Sequence, residues 1–322
     1  MKRSINKLFV SIILLFSCTD KVVEQLPITT SSEKARKHYQ KAREYYLTTD
    51  FPEGWSSLDS ALAIDPNFAM ASLIRWHPDP SIRTKNRKRA YSLINTVSDA
   101  EKYILNANRC EDEGNLDSAL FYIKKLVEKY PNSYESYNEL GVIYGSRNEL
   151  KLAEKAFKES IDIYPDNYMA YTYLFGQHVM YGFYDLLPTE ERDVSIGLKY
   201  AEKLIDLKPN SAHGFHAKAN CYRQLGEFEK AIPLYDKSVE LSKGTTAEAS
   251  ENYVSAHNIM FAGDFEKARE RYKQALKVVK DAQTETSIKT FITISYLFQR
   301  NFEGALDNLY SMEESLKKNK TI

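Results

Sequence analysis

Prolines recur along this chain at a spacing that limits what it can fold into. Tyr130-Pro131-Asn132-Ser133 and Tyr164-Pro165-Asp166-Asn167 set their prolines 34 residues apart, and Lys208-Pro209-Asn210-Ser211 and Asp65-Pro66-Asn67 repeat the phrase. A fixed period of that size marks stacked supersecondary units. Aligned on the prolines, residues 134–167 show ordered slots: Leu140-Gly141, Tyr144, Ala153, Phe157, Ser160 and Pro165. A pair of antiparallel helices, which the resemblance given below implies, would use each of them. Small residues at Gly141 and Ala153 let the helices approach closely, and Tyr144 and Phe157 fill the groove between them. Asn148-Glu149 makes the tight link. Pro165 cannot continue a helix interior, so it closes one unit and opens the next.

This slot pattern resembles the tetratricopeptide repeat. The other units fit it at 35–68, 100–133, 168–211, 212–245, 249–282 and 286–319, with a degenerate unit at 69–99 and an insertion of ten residues within 168–211. Cys110 stands at a usual tyrosine slot, and Arg300 where glycine often sits. The resemblance implies an all-α chain, a right-handed α-solenoid of about eight helix hairpins over 35–319. It implies little about function, because folds host many functions.

The N-terminus reads as an address. Lys2, Arg3 and Lys7 precede an apolar run, Leu8 to Phe16, which is too short for a bilayer span of roughly 20 residues. That arrangement predicts a signal peptide over 1–17. Leu15-Phe16-Ser17-Cys18 resembles the bacterial lipobox. The resemblance implies lipidation of Cys18, a membrane anchor and a place in the bacterial cell envelope. Thr19 rather than Asp after the cysteine implies the outer membrane. The alternative is an ordinary signal peptide with an incidental cysteine. Residues 18–34, polar with one proline, read as a tether.

Charge and motif content narrow the chemistry. The 44 basic residues balance 44 acidic ones, which argues against nucleic acid as a partner. Loss of Lys2, Arg3 and Lys7 with the signal leaves a mildly acidic protein. Three cysteines are too few for a disulfide scaffold, and Cys110 and Cys221 are expected as separate buried thiols. There is no HExxH, CxxC, GxSxG, P-loop or EF-hand pattern, so no catalytic residue, metal or cofactor is expected, and no enzyme. His213, His216 and His257 could approach one another across neighbouring units, but they read as groove histidines rather than metal ligands.

By the same resemblance, the first helix of each hairpin lines a concave groove. Its N-terminal half is polar, with Arg43, Glu101, Asn138 and Glu135. Its C-terminal half offers Met169, Tyr173, His213, His216, Asn220, Arg223, Tyr253, His257 and Phe261 as candidate binding residues. Methionine and aromatic side chains on a concavity suit an adaptable peptide or helix site; the other reading is that the superhelix closes on itself and these residues are core. The Lys/Asn/Arg set of chaperone-type carboxylate clamps is missing. The insertion around 181–195, with Tyr181, Phe183, Tyr184 and Leu186-Leu187, reads as a packed helix extension or as a partner-specific protrusion. Two functions follow. One is a membrane-anchored scaffold for protein or peptide partners in the envelope. The alternative is a glycan- or small-ligand-binding outer-membrane lipoprotein, for which Trp55 and Trp76 are a thin supply of stacking platforms.

Overall fold

The computed structural model describes residues 23–48, 51–73, 79–179 and 187–319. The signal segment, Cys18, Trp76, Met180 and the insertion residues Tyr181, Phe183, Tyr184 and Leu186 lie outside the described residues.

The chain is all-α, with sixteen α-helices and no strand among the described residues. In chain order they pair as α1 (Glu33–Leu47) with α2 (Phe51–Ile64), α3 (Ala69–Ser72) with α4 (Pro80–Ser92), α5 (Asp99–Asp112) with α6 (Leu116–Lys129) and α7 (Tyr134–Ser146) with α8 (Leu150–Ile163). Then come α9 (Tyr168–His178) with α10 (Val194–Leu207), α11 (Ala212–Gln224) with α12 (Phe228–Ser242), α13 (Glu248–Phe261) with α14 (Phe265–Val278) and α15 (Ala282–Phe298) with α16 (Phe302–Asn319). Each helix packs on its neighbours in sequence, within its hairpin and to the next. This is the arrangement of a solenoid.

Local chemistry sets the helix ends. Ser98 and Glu101 form a reciprocal capping box at the start of α5, and Asn115, Asn167, Asp193, Asp264 and Asp281 accept first-turn N–H groups at other starts. α8 buries Leu150, Ala153, Ala156, Phe157 and Ser160, the stripe expected of an amphipathic helix. The slot of Gly141 serves a ring: a Cβ there would stand 2.6 Å from Phe157 atoms. Phe157 thus sits in a notch left by the missing side chain.

The hairpin link demands one left-handed residue. Gly114, Gly226 and Gly263 hold φ of 75°, 74° and 93°, while Asn148 (58°) and Arg300 (57°) hold the same place without glycine's freedom. Asparagine tolerates that region; arginine is strained in it. Arg300→Gly is expected to stabilise the chain by about 1 kcal/mol, read as a higher urea midpoint at unchanged slope.

The structure departs from expectation at three places. In the degenerate unit the first helix is short, with four residues and Leu73 after it out of helix, and the second helix begins at Pro80. There Asp79 accepts the N–H of Ser81, and proline suits the first helical position. α9 stops at His178 instead of running on. Val179 turns extended and buries its side chain over Gly197, and Leu187 donates its N–H back to the Gln177 carbonyl at 3.0 Å. The stretch read as a free tether is docked over Glu24–Ser32, with Leu26 buried.

The array also curls back on its first helix. Arg43 of α1 pairs with Glu135 of α7 at 2.7 Å. Leu47, at the end of α1, packs against the cluster of Tyr168, Phe175 and Leu204. Thr48 lines a cavity of about 350 Å³ together with Lys208, Ser211, His213, Ser242 and Glu251. The first hairpin therefore meets the fourth and fifth and shares a cavity with the sixth and seventh.

Candidate interaction surfaces

The candidate groove residues fall into two groups. His213, His216 and Asn220 are buried; Met169, Tyr173, Arg223, Tyr253 and His257 are half-buried; Phe261 is half exposed at 50%.

The buried group forms joints between hairpins. His216 Nδ1 lies 2.7 Å from Glu251 Oε2 of α13, and Ser238 of α12 donates to the same oxygen at 2.5 Å. Burial pushes the Glu251 carboxyl up, but the charge and hydrogen bond of His216 and the Ser238 hydroxyl outweigh it and hold it below its ordinary value. Tyr168 Oη and His213 Nδ1 meet at 2.7 Å. Burial, with His216 beside it, holds His213 down to about 4 although Glu251 pulls the other way. Tyr235 donates to Asn220 Oδ1 at 2.7 Å, and the Arg223 guanidinium lies over the Tyr235 ring.

The same joint occurs two hairpins earlier in neutral form. Ser160 donates to Asn138 Oδ1 at 2.8 Å and to the Tyr134 carbonyl, and Asn167 Nδ2 donates to Asn138 Oδ1 at 2.9 Å. Ser160 and Ser238 occupy one repeat slot, and so do Asn138 and His216. The histidine–glutamate pair is thus the charged variant of a recurring joint.

The half-buried group packs by rings. Tyr173 stacks on Phe157, centroids 4.7 Å apart and planes 14° apart. His257 meets Phe291 at 4.0 Å and Tyr253 at 4.3 Å, and its Nδ1 lies 2.8 Å from the Tyr253 carbonyl. Burial holds His257 down to about 4, against that carbonyl. The three histidines do not converge, and no group of three or more His, Cys, Asp or Glu suited to a metal occurs among the described residues. Cys110 and Cys221 are both free and buried, with burial raising each thiol.

Phe261 belongs to an aromatic edge that is partly exposed. Phe228, Phe265 and Phe302 each follow by two residues the left-handed residue of their hairpin. Phe228 meets Phe261 at 6.2 Å, and Phe265 meets Phe298 at 6.3 Å, so rings run from hairpin to hairpin along the turns. Phe298 is 59% and Phe302 63% exposed, and Leu225 and Leu297, each near its own hairpin link, are exposed as well. The signal was available as a phenylalanine at one fixed offset in three successive units. The third and fourth hairpins carry Leu116 and Leu150 there.

Residues 134–167 and 210–281 match models described as tetratricopeptide repeat. The mouse (Mus musculus) mitochondrial import receptor subunit TOM70 is 21% identical over 138 residues, which is 42% of this chain and 21% of the mouse protein. The match spans only about a fifth of that relative's length. Among solved structures, the APC/C hetero-tetramer Cut9–Hcn1 aligns at 13% identity over 84% of this chain and 51% of that chain, with a TM-score of 0.54. Pseudomonas aeruginosa pilF aligns at 15% identity over 67% of this chain and 91% of that chain, with a TM-score of 0.49. The likeness to Cut9–Hcn1 is one of fold. Residues 134–167 and 210–281 are therefore tetratricopeptide repeats, set within an all-helical solenoid of hairpins that extends to both sides of them.

Proposed function

We propose that this chain is a lipid-anchored scaffold of the bacterial envelope, without catalytic activity, that holds a protein partner against the aromatic edge of its last three hairpins. The observation that carries the reading is that edge. Contiguous exposed aromatic side chains are costly in water and mark interaction surfaces. The groove residues first considered are largely spent on joints, so the edge is where apolar area is left to bury. A receptor subunit among the relatives agrees with a role in capture. Anchoring rests on Cys18 and the apolar run before it. The glycan reading has less support, since Trp55 is half-buried and Trp76 lies outside the described residues.

The test is affinity capture from envelope extracts with the lipidated chain. Phe298→Glu with Phe302→Glu should lower recovery of reproducible protein partners at least tenfold without shifting the melting temperature, since both rings are already in solvent. Cys18→Ser should abolish palmitate labelling and release the chain from the membrane fraction. Equal recovery by the Phe variants would remove the edge from the reading. A Cys18→Ser chain that still fractionates with membranes would remove the anchor.

A further inference from the structure

Residues Glu24–Ser32 run extended across the starts of α5 and α7 and are held there mainly through their backbone. The N–H of Leu26 donates to Glu135 Oε2 at 3.2 Å, and the N–H of Thr29 to Glu101 Oε2 at 2.9 Å. The N–H of Ser31 donates to Asp65 Oδ2 at 2.9 Å. The Glu24 N–H reaches the Asn132 carbonyl at 3.2 Å. Three carboxylates from three hairpins thus form a rail that accepts peptide N–H groups, the charge-assisted and stronger kind of hydrogen bond.

The side chains of the segment add selectivity. Leu26 is buried in the cluster of Val97, Ile104 and Ile143, and Ile28 packs on that of Tyr39 and Phe68. Pro27 has no N–H to satisfy, and its carbonyl accepts Ser98 Oγ at 2.8 Å. Thr29 and Thr30 hydroxyls donate to Glu101 and Asp65 at 2.5 and 2.6 Å. Burial raises Asp65, but the bonds from Thr30, Ser31 and Asn67 outweigh it and keep the carboxyl below its ordinary value.

We propose that Asp65, Glu101 and Glu135 form an extended-peptide site, kept filled in cis by Glu24–Ser32. Its external partners are extended segments of the same chemistry: a leucine before a proline, then two threonines, with no basic or acidic side chain facing the rail. The site is separate from the aromatic edge, and a partner peptide enters it by displacing the chain's own segment. A strap joined to the body it covers has a high effective concentration, so the site is closed to weak competitors until the strap is released.

A fluorescein-labelled peptide of residues 23–32 tests this against the full chain and against the full-length variant Leu26→Asp with Thr29→Pro, which removes the buried side chain and both Thr29 donors to Glu101. The peptide should bind the variant at least tenfold more tightly than the parent chain, and adding Glu101→Gln to the variant should lose most of that gain. Phe298→Glu with Phe302→Glu should leave peptide affinity unchanged, which separates this site from the proposed partner edge. Binding to neither chain, or equally to both, overturns the proposal. Should the variant lose its helical signal, hydrogen exchange on the parent chain decides. Excess peptide should speed exchange at the Leu26 and Thr29 amides, and unchanged rates at saturating peptide overturn the proposal.

Discussion

Glu251→Ala is expected to lower stability by about 3 kcal/mol, read as a drop in the urea midpoint with little change in slope. The carboxylate accepts bonds from Ser238 and His216 inside the joint between the sixth and seventh hairpins. Hydrogen bonds to a charged group contribute roughly 1.5–3 kcal/mol each, and their donors would be left buried. Glu251→Gln keeps an acceptor and should lose about half as much. The same joint predicts acid sensitivity. His213, held to about 4 by burial among Tyr168, His216 and Glu251, takes up its proton in the unfolded chain near its ordinary 6.5. Between those values the unfolded state binds more protons, so stability falls as pH drops from about 6.5 to about 4. Glu251, held low, contributes stability at neutral pH that is lost as pH falls through its folded value, so both groups act in one direction. Urea midpoints at pH 7 and pH 5 should differ, and His213→Asn should shrink the difference.

Phe157→Ala is expected to cost about 3–5 kcal/mol, the range for removing a buried ring from a packed core. Phe157 is only 1% exposed, stacks on Tyr173 and lies in the Gly141 notch. The notch makes the effect two-sided. Gly141→Ala drives a methyl into the ring and should destabilise by about 1–3 kcal/mol. Gly141→Ala combined with Phe157→Leu should lose less than the sum of the two single changes, because the smaller side chain vacates the space the methyl needs. Circular dichroism melts of the four chains read this out. Strict additivity would show that the ring and the notch do not share one volume.

How much of this was legible in the sequence depended on what each contact is made of. The hairpins were legible because proline, small residues and rings recur at fixed slots, and each slot has a steric reason. The left-handed position was legible at Gly114, Gly226 and Gly263, and Arg300 stood out against them. The histidines were visible too, but their partners were not. Glu251 lies a full hairpin away from His216, and the slot pattern does not specify which acid turns inward. The strap was the least legible. Its hold comes from backbone N–H groups meeting carboxylates, and every residue but proline has an N–H, so a polar run with one proline reads the same whether it is docked or free. The start of α4 was legible too, in Asp79-Pro80, a capping aspartate before a proline at the first helical position.

The return of α1 onto later hairpins changes how the array should come apart. In a solenoid whose units touch only their neighbours, stability is close to a sum of local terms, and the ends fray independently of the middle. Here Arg43 and Leu47 connect the first hairpin to the fourth and fifth, and Thr48 borders a cavity lined also by the sixth and seventh. That adds a long-range term to a one-dimensional chain. Opening the N-terminal hairpin gives up contacts held by the centre, and loosening the centre gives up contacts held by the first hairpin. Melting is therefore shared across the hairpins that meet the end of α1, while the last one keeps the independent fraying of an open end.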